Sequence, residues 1–369
     1  MRCHHQHLHH GSRPQIHHHR IARAASSHRK GSHLKLRHRF ATVAAGFAAA
    51  TLLLAGCTTA AEAPATAPAT ESTAQSNTQE ATWPRTITIP GVRGGADTEL
   101  TIPAEPTQIA ALDYESAEVV AELGLASKLV LIPEANLNPA LGSHQEALQD
   151  VTAFPVAQQL AAENVLAVKP DLVILSPRHG ADDTIGKVLT QAGVTVLQLP
   201  ASWTNQQTLA QGISLIGQAT GQEAAAEQLQ ANIAAKIAAA KAPEQTDKAV
   251  VVLTNQAGRP FITAGHAYPL ELVELAGAVD AGAQLQLERT GPITAEQLVQ
   301  LDPAGIVLID MNGSGDRMFA ELLQNPAVAS LRSISADKIL RVTGKEVQAV
   351  GLTNSASGLA KLTAWVQTL

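Results

Sequence analysis

The chain has 369 residues, room for two domains at about 100–200 residues each. Its two cysteines, Cys3 and Cys57, exclude a disulfide framework and a cysteine-based metal site. Charge is unevenly divided: residues 1–56 hold nine of the 26 Lys/Arg and no Asp/Glu. The remainder therefore carries 17 basic against 32 acidic residues and lacks the cationic surplus on which nucleic-acid binding relies.

Residues 1–40 are basic and contain eleven of the fourteen histidines, and 41–54 (ATVAAGFAAATLLL) are apolar. That run has the length of a signal-peptide core and is too short to span a bilayer as a helix. It ends at Leu54-Ala55-Gly56-Cys57, which resembles a bacterial lipobox. The resemblance implies cleavage before Cys57 and lipid modification of that residue, and two or more acyl chains hold a protein stably at a membrane. The histidine clusters at 4–10 and 17–19 fall in the segment to be removed. A basic leader of 40 residues is overlong, which moves the expected translation start toward Leu34. Residues 58–82 are rich in Ala, Thr, Pro and Ser and bury too little apolar surface to offset the entropy of ordering them. The expected order begins with a signal segment (1–56) and a lipid-anchored flexible tether (57–84).

The alternating segments 85–90 and 99–103, around Gly94-Gly95, predict a hairpin. Strands are expected at 108–112, 128–132, 172–175 and 194–199, with helices at 116–123, 161–168 and 181–192 between them. Such alternation predicts a parallel sheet with helices on its faces. Residues 205–220 and 222–242 predict two successive helices, the second rich in strong helix formers and about 30 Å long. Beyond them strands are expected at 249–253, 260–263, 306–309 and 339–342, and helices at 270–275, 295–301, 318–324 and 357–368. The fold class is thus α/β. Two α/β lobes with parallel sheets, 85–220 and 246–369, are joined by a single long rigid helix at 221–245, with a ligand cleft between the lobes.

One unit is written twice. Residues 160–176 (LAAENVLAVKPDLVILS) and 293–310 (ITAEQLVQLDPAGIVLID) each place Pro seven positions after Glu and follow it with an apolar run. Glu163 matches Glu296 and Pro170 matches Pro303 at an offset of 133 residues. YESAEVVAELG at 114–124 is echoed by YPLELVELAG at 268–277. Two copies at this spacing indicate two similar lobes rather than a solenoid.

The order of lipobox, tether, lobe, linking helix and lobe resembles the ABC-transporter solute-binding proteins that carry iron-siderophores, haem and cobalamin. The wording agrees over about 85–369: TELTIPAEPTQIAALDYESAEVVAELG, AAENVLAVKPDLVIL, PFITAGHAYPLELVELAG and TAEQLVQLDPAGIVLI. The resemblance implies a lipid-anchored monomer on the outer face of the cytoplasmic membrane, without cofactor, that hands an iron complex to the permease subunits of an importer. It also implies that Glu163 and Glu296, one per lobe, meet permease arginines. Each also stands early in a predicted helix, where the helix dipole favours a carboxylate.

By the same resemblance the ligand contacts fall at Tyr114, Gln158, Arg178, His179, His266, Tyr268, Arg289 and Met311. Arg178 and Arg289 offer planar, multidentate donors to an anionic ligand. His179, His144 and Tyr268 are the candidate ligands to haem iron. Some haem-binding members carry Met or His where Gln158 and Gln159 stand, or Tyr where Phe261 stands. With eight aromatics beyond residue 57, this favours a ferric siderophore, with haem and cobalamin as the alternatives. The chain has no G-x-S-x-G, H-E-x-x-H, P-loop or strand-linked G-x-G-x-x-G, so no enzyme is expected, and a two-lobed metal-cofactor enzyme is the less favoured alternative.

Overall fold

The computed structural model describes residues 81–92, 95–155, 160–177, 182–256 and 258–369. Cys57, the histidine-rich segment, Gln158, Arg178 and His179 lie outside the described residues. Among the described residues no helix is long and apolar enough to cross a membrane.

The first lobe opens with the expected hairpin, strands β1 (Arg85–Ile89) and β2 (Thr98–Ile102). Then follow β3 (Ile109–Ala111), α1 (Tyr114–Val120), β4 (Leu129–Pro133), α2 (Gln145–Leu148), β5 (Thr152–Phe154), α3 (Ala162–Ala167), β6 (Leu172–Leu175), α4 (Asp182–Gln191) and β7 (Thr195–Gln198). The five strands β3–β7 form a parallel sheet ordered β5-β4-β3-β6-β7. Chain order reverses between β3 and β6, the topological switch point at which open sheets bind ligands beyond the carboxyl ends of their strands.

Two helices lead out of this lobe. Helix α5 (Gln206–Thr220) starts at a capping box made by Asn205 and Thr208 and stops at Gly221, and α6 (Glu223–Ala240) follows. Arg85 ties the opening hairpin to their junction, donating to the Gln218 carbonyl and to Glu223 Oε1, both at 2.6 Å. On α6 the buried residues are Ala226, Leu229, Ile233 and Ile237, a three-and-four spacing that sets one stripe against the core.

The second lobe contains β8 (Ala249–Gln256), β9 (Arg259–Gly265), α7 (Tyr268–Leu275), β10 (Val279–Asp280), β11 (Arg289–Pro292), α8 (Ala295–Leu301), β12 (Gly305–Asp310), α9 (Ala320–Gln324), α10 (Pro326–Ala329), α11 (Arg332–Ser335), β13 (Ile339–Thr343), α12 (Gly344–Val347) and α13 (Asn354–Val366). Its sheet runs β11-β9-β8-β12-β13, with β10 beside β8. This sheet is mixed rather than parallel throughout, because β9 runs antiparallel to β8 and β11 antiparallel to β9. Only residues 257 and 258 separate β8 from β9. A parallel return needs a crossover of a dozen or more residues, so the chain turns straight back, with Gly258 at φ 80°.

Strand residues alternate between cores. Leu172 and Ile174 of β6, Val250 and Val252 of β8, and Val307 and Ile309 of β12 belong to one apolar cluster shared by both sheets and by α5, α6 and α13. Val173 and Leu175 face a separate core on the first lobe, and Val251, Leu253, Ile306 and Leu308 another on the second. Helices cover both faces of each sheet, which is why these strands read as unbroken apolar runs. The shared cluster joins the lobes through packed side chains as well as through the chain. α6 is fixed at its far end by Thr363 of α13, whose hydroxyl donates to the Ala240 carbonyl at 2.9 Å.

The repeat is structural. In both copies the Glu is the second residue of a short helix, α3 or α8, and the Pro is buried. The residue before each Pro, Lys169 at φ 50° and Asp302 at φ 37°, takes the left-handed conformation uncommon for residues other than glycine. The strand that follows is the neighbour of the first strand in its sheet: β6 beside β3, β12 beside β8.

Candidate ligand-binding cleft

The carboxyl ends of the parallel strands in the two sheets face each other. After β4, Ala140 accepts a backbone hydrogen bond from Lys345, which follows β13, at 2.9 Å. Asn354 Nδ2 donates to Ser143 Oγ at 3.0 Å. The switch points of both sheets therefore open toward one inter-lobe region.

In the first lobe the loop after β3 is organised by Asp113, which is 3 % exposed. Its carboxylate caps α1 by accepting from Ser116 N at 2.8 Å and Ser116 Oγ at 2.9 Å. It also accepts from Trp203 Nε1 at 3.0 Å, joining the loops after β3 and β7. Ser202 in the latter loop donates to the Pro177 carbonyl, so the loop after β6 is held to the same group. Tyr114, half-buried, follows Asp113 and stands at the switch point.

In the second lobe the loop after β12 is held by two side chains. Asp310 accepts from the amides of Asn312 at 3.1 Å, Ser314 at 3.2 Å and Gly315 at 2.7 Å. Burial raises its pKa, but these amides and Asn255 outweigh burial and hold the carboxyl below its ordinary value. Asn255, at the end of β8 and 2 % exposed, donates to Asp310, Asn312 and Ser314 and accepts from Met311 N at 2.8 Å. Met311 thus stands at the switch point. Its sulfur meets the Gln348 amide at 3.7 Å, beside Gly344 and facing inward.

Four expected contacts need correction. Tyr268 is 1 % exposed, packed in the shared core, with its hydroxyl 3.1 Å from Ser355 Oγ. Burial pushes its phenol up to about 12, and the enclosure of the hydroxyl beside Ser355 keeps it from reaching a ligand in the cleft. His266 and Arg289 stand at the opposite edge of the second sheet: Gly265 pairs with Arg289, and β9 reaches that end only after reversing along β8. His266 there borders a groove of about 470 Å³ with Glu271, Glu274 and Asp280. The echo of 114–124 in 268–277 misleads because α1 follows a parallel strand and α7 an antiparallel one.

His144 is the fourth. Its Nδ1 donates to Glu118 Oε2 at 2.7 Å and its Nε2 to Glu122 Oε2 at 3.0 Å. With both ring nitrogens engaged as donors, neither lone pair is free for a metal. Hydrogen bonds to Glu118 and Glu122 raise the imidazole pKa to about 9 against the opposing effect of burial. Because the folded pKa lies above the unfolded value, this contribution to stability is fully present below about pH 6.5. It is lost as pH rises through about 9. A melting-temperature profile from pH 6 to 10 should fall over that window, and His144→Gln should flatten the fall. An unchanged slope in the variant would count against the assignment.

Arg259 was missed by sequence reasoning. It opens β9 beside the carboxyl end of β8, is exposed, and lies over the Phe261 ring at 5.4 Å from its centroid. Phe261 had been noted only as the residue standing in place of a tyrosine. The signal available was the A-G-R turn at 257–259, which marks a hairpin and so places its tip at the cleft.

Glu163 and Glu296 are exposed in the first turns of α3 and α8. Both helices return from the carboxyl edge of a sheet, so both glutamates lie toward the cleft rim. The carboxyl of Glu296 is held below its ordinary value by its own backbone N–H and the Thr294 hydroxyl.

Two α/β lobes with facing switch points and a shared core define a two-lobed binding protein. Residues 109–345 match the model described as periplasmic binding protein, and the chain belongs to that family. No protein with a curated description matches it. The periplasmic heme-binding protein RhuT from Roseiflexus sp. RS-1 is similar in fold, with TM-score 0.61, 20 % identity, and coverage of 71 % of this chain and 98 % of that one. An ABC-type Fe3+-hydroxamate transport system protein from Saccharomonospora viridis DSM 43017 gives 0.60, 20 %, 77 % and 99 %. A periplasmic heme-binding protein from Pseudomonas aeruginosa gives 0.54, 26 %, 70 % and 92 %. The family is one of solute-binding proteins, and membership implies an exported protein.

Proposed function

We propose that the protein is the lipid-anchored capture component of an ABC importer and that its cargo is an anionic ferric siderophore. The observation that carries the choice of cargo is the commitment of the described haem-ligand candidates elsewhere: His144 to two carboxylates, Tyr268 to the core. Arg259 at the hairpin tip supplies a planar cation stacked on an aromatic ring, suited to carboxylate or catecholate oxygens. Arg178 would supply the corresponding cation from the first lobe. Anchoring through Cys57, monomeric behaviour and docking through Glu163 and Glu296 belong to the same reading.

A panel of ferric hydroxamates, catecholates and carboxylates, haemin and cobalamin, read by thermal shift, tests it, since a ligand of the native state raises the melting temperature. One ferric siderophore class should raise it, with quenching of Trp203, whose indole is bonded beside Tyr114. Arg259→Glu should weaken that binding at least about tenfold, or ~1.4 kcal/mol. If no member of the panel shifts the transition, the reading fails. Haem is the second reading, favoured by the heme-binding relatives. A Soret band on adding haemin, lost on changing His179, would put it first.

A further inference from the structure

We propose that residues 134–145 form an inter-lobe latch, and that His144 and Glu118 are its positioning residues. The segment leaves the carboxyl end of β4 and crosses to the second lobe. There the Ala140 carbonyl accepts from Lys345 N at 2.9 Å, and Ser143 Oγ accepts from Asn354 Nδ2 at 3.0 Å. Leu141 Cδ2 lies so close to Gly344 that an added Cβ there would sit 2.5 Å from it. Asn138 Oδ1 lies 3.7 Å from where a Cβ on Gly313, in the loop after β12, would sit.

On its other side the same segment is gathered onto one carboxylate. Glu118 of α1 is 0 % exposed. Its Oε1 accepts from Asn136 Nδ2 at 3.1 Å, and its Oε2 accepts from Ser143 N at 3.1 Å and His144 Nδ1 at 2.7 Å. Asn136 also donates to the Tyr114 carbonyl at 2.9 Å, so the latch is bonded to the residue at the switch point. Glu122 takes the second ring nitrogen of His144 at 3.0 Å, and Lys236 of α6 acts on Glu122 from the linking helix. The carboxylates that gather the segment, Glu118 and Glu122, thus belong to the first lobe, while two outward hydrogen bonds go to the second. A hub with this arrangement sets how firmly the lobes are held together at the carboxyl ends of β4 and β13, beside the cleft. Its consequence for the rate of ligand release rests on the solute-binding reading; the latch itself does not.

Amide hydrogen exchange on the ligand-free protein reads the latch directly, through the Lys345 N–H that crosses the lobes. In His144→Ala, Lys345 and peptides covering 138–145 should exchange at least tenfold faster, with β8 and β12 amides unchanged. Should His144→Ala loosen the whole chain, His144→Gln, which keeps one donor toward Glu118, decides. Faster exchange at Lys345 alone supports the latch, and uniform acceleration overturns it. Unchanged protection at Lys345 in His144→Ala also overturns it. Because no ligand is present, this outcome is independent of whether the panel finds a siderophore.

Discussion

Glu118→Ala should destabilise the protein by about 3–5 kcal/mol, the range for removing one partner of a buried charge pair. Glu118 is fully buried and accepts three hydrogen bonds from Asn136, Ser143 and His144. Its removal takes the acceptor from the His144 imidazolium and from the Ser143 N–H and leaves Asn136 with the Tyr114 carbonyl alone. Glu122→Ala provides the contrast. Its side chain is 34 % exposed and holds only the outer nitrogen of His144. A pair of that kind contributes about 1 kcal/mol or less. Urea denaturation of both variants gives the comparison through the midpoint and slope. Equal, small losses would show that the carboxylate is not the hub described here.

The double variant Glu163→Lys/Glu296→Lys is expected to abolish uptake while leaving ligand affinity within about twofold. Both side chains are exposed in the first turn of a short helix. On the proposed docking reading, lysine there would place like charge against a cationic partner and oppose the helix dipole, a small effect at an exposed site. The fold should survive that loss. Each single reversal should reduce uptake less than the pair, since the two lobes would dock independently. An affinity that falls in parallel with uptake would remove both residues from the docking surface and return them to the cleft.

Much of this was legible in the sequence. The alternation of strands and helices, the long helix between the copies and the doubled Glu–Pro unit all rest on local patterns that tertiary contacts reinforced. Glu163 and Glu296 occupy equivalent helix positions, down to the left-handed residue ahead of each buried proline. Tyr114 and Met311 fall at switch points because each follows a parallel strand. The errors came from residues whose position depends on chain direction or on distant partners. His266 and Arg289 were placed by the family resemblance, and the antiparallel run of β9 along β8 carries them to the opposite edge of the sheet. Arg259 gained its place from the same reversal.

The amino-acid sequence by itself determined the two-lobed α/β plan, the repeat and the surface glutamates. These follow from hydrophobic periodicity, helix caps and prolines acting within a few residues. Only the tertiary structure decided which polar side chains remain available to a ligand. His144 reads as a free loop histidine until α1 and the helical turn after it place Glu118 and Glu122 on its two nitrogens, and Tyr268 reads as a cleft residue until α13 brings Ser355 to its hydroxyl. Ligand availability is set by partners 22 and 26 residues away for His144 and 87 for Tyr268. No local pattern encodes that.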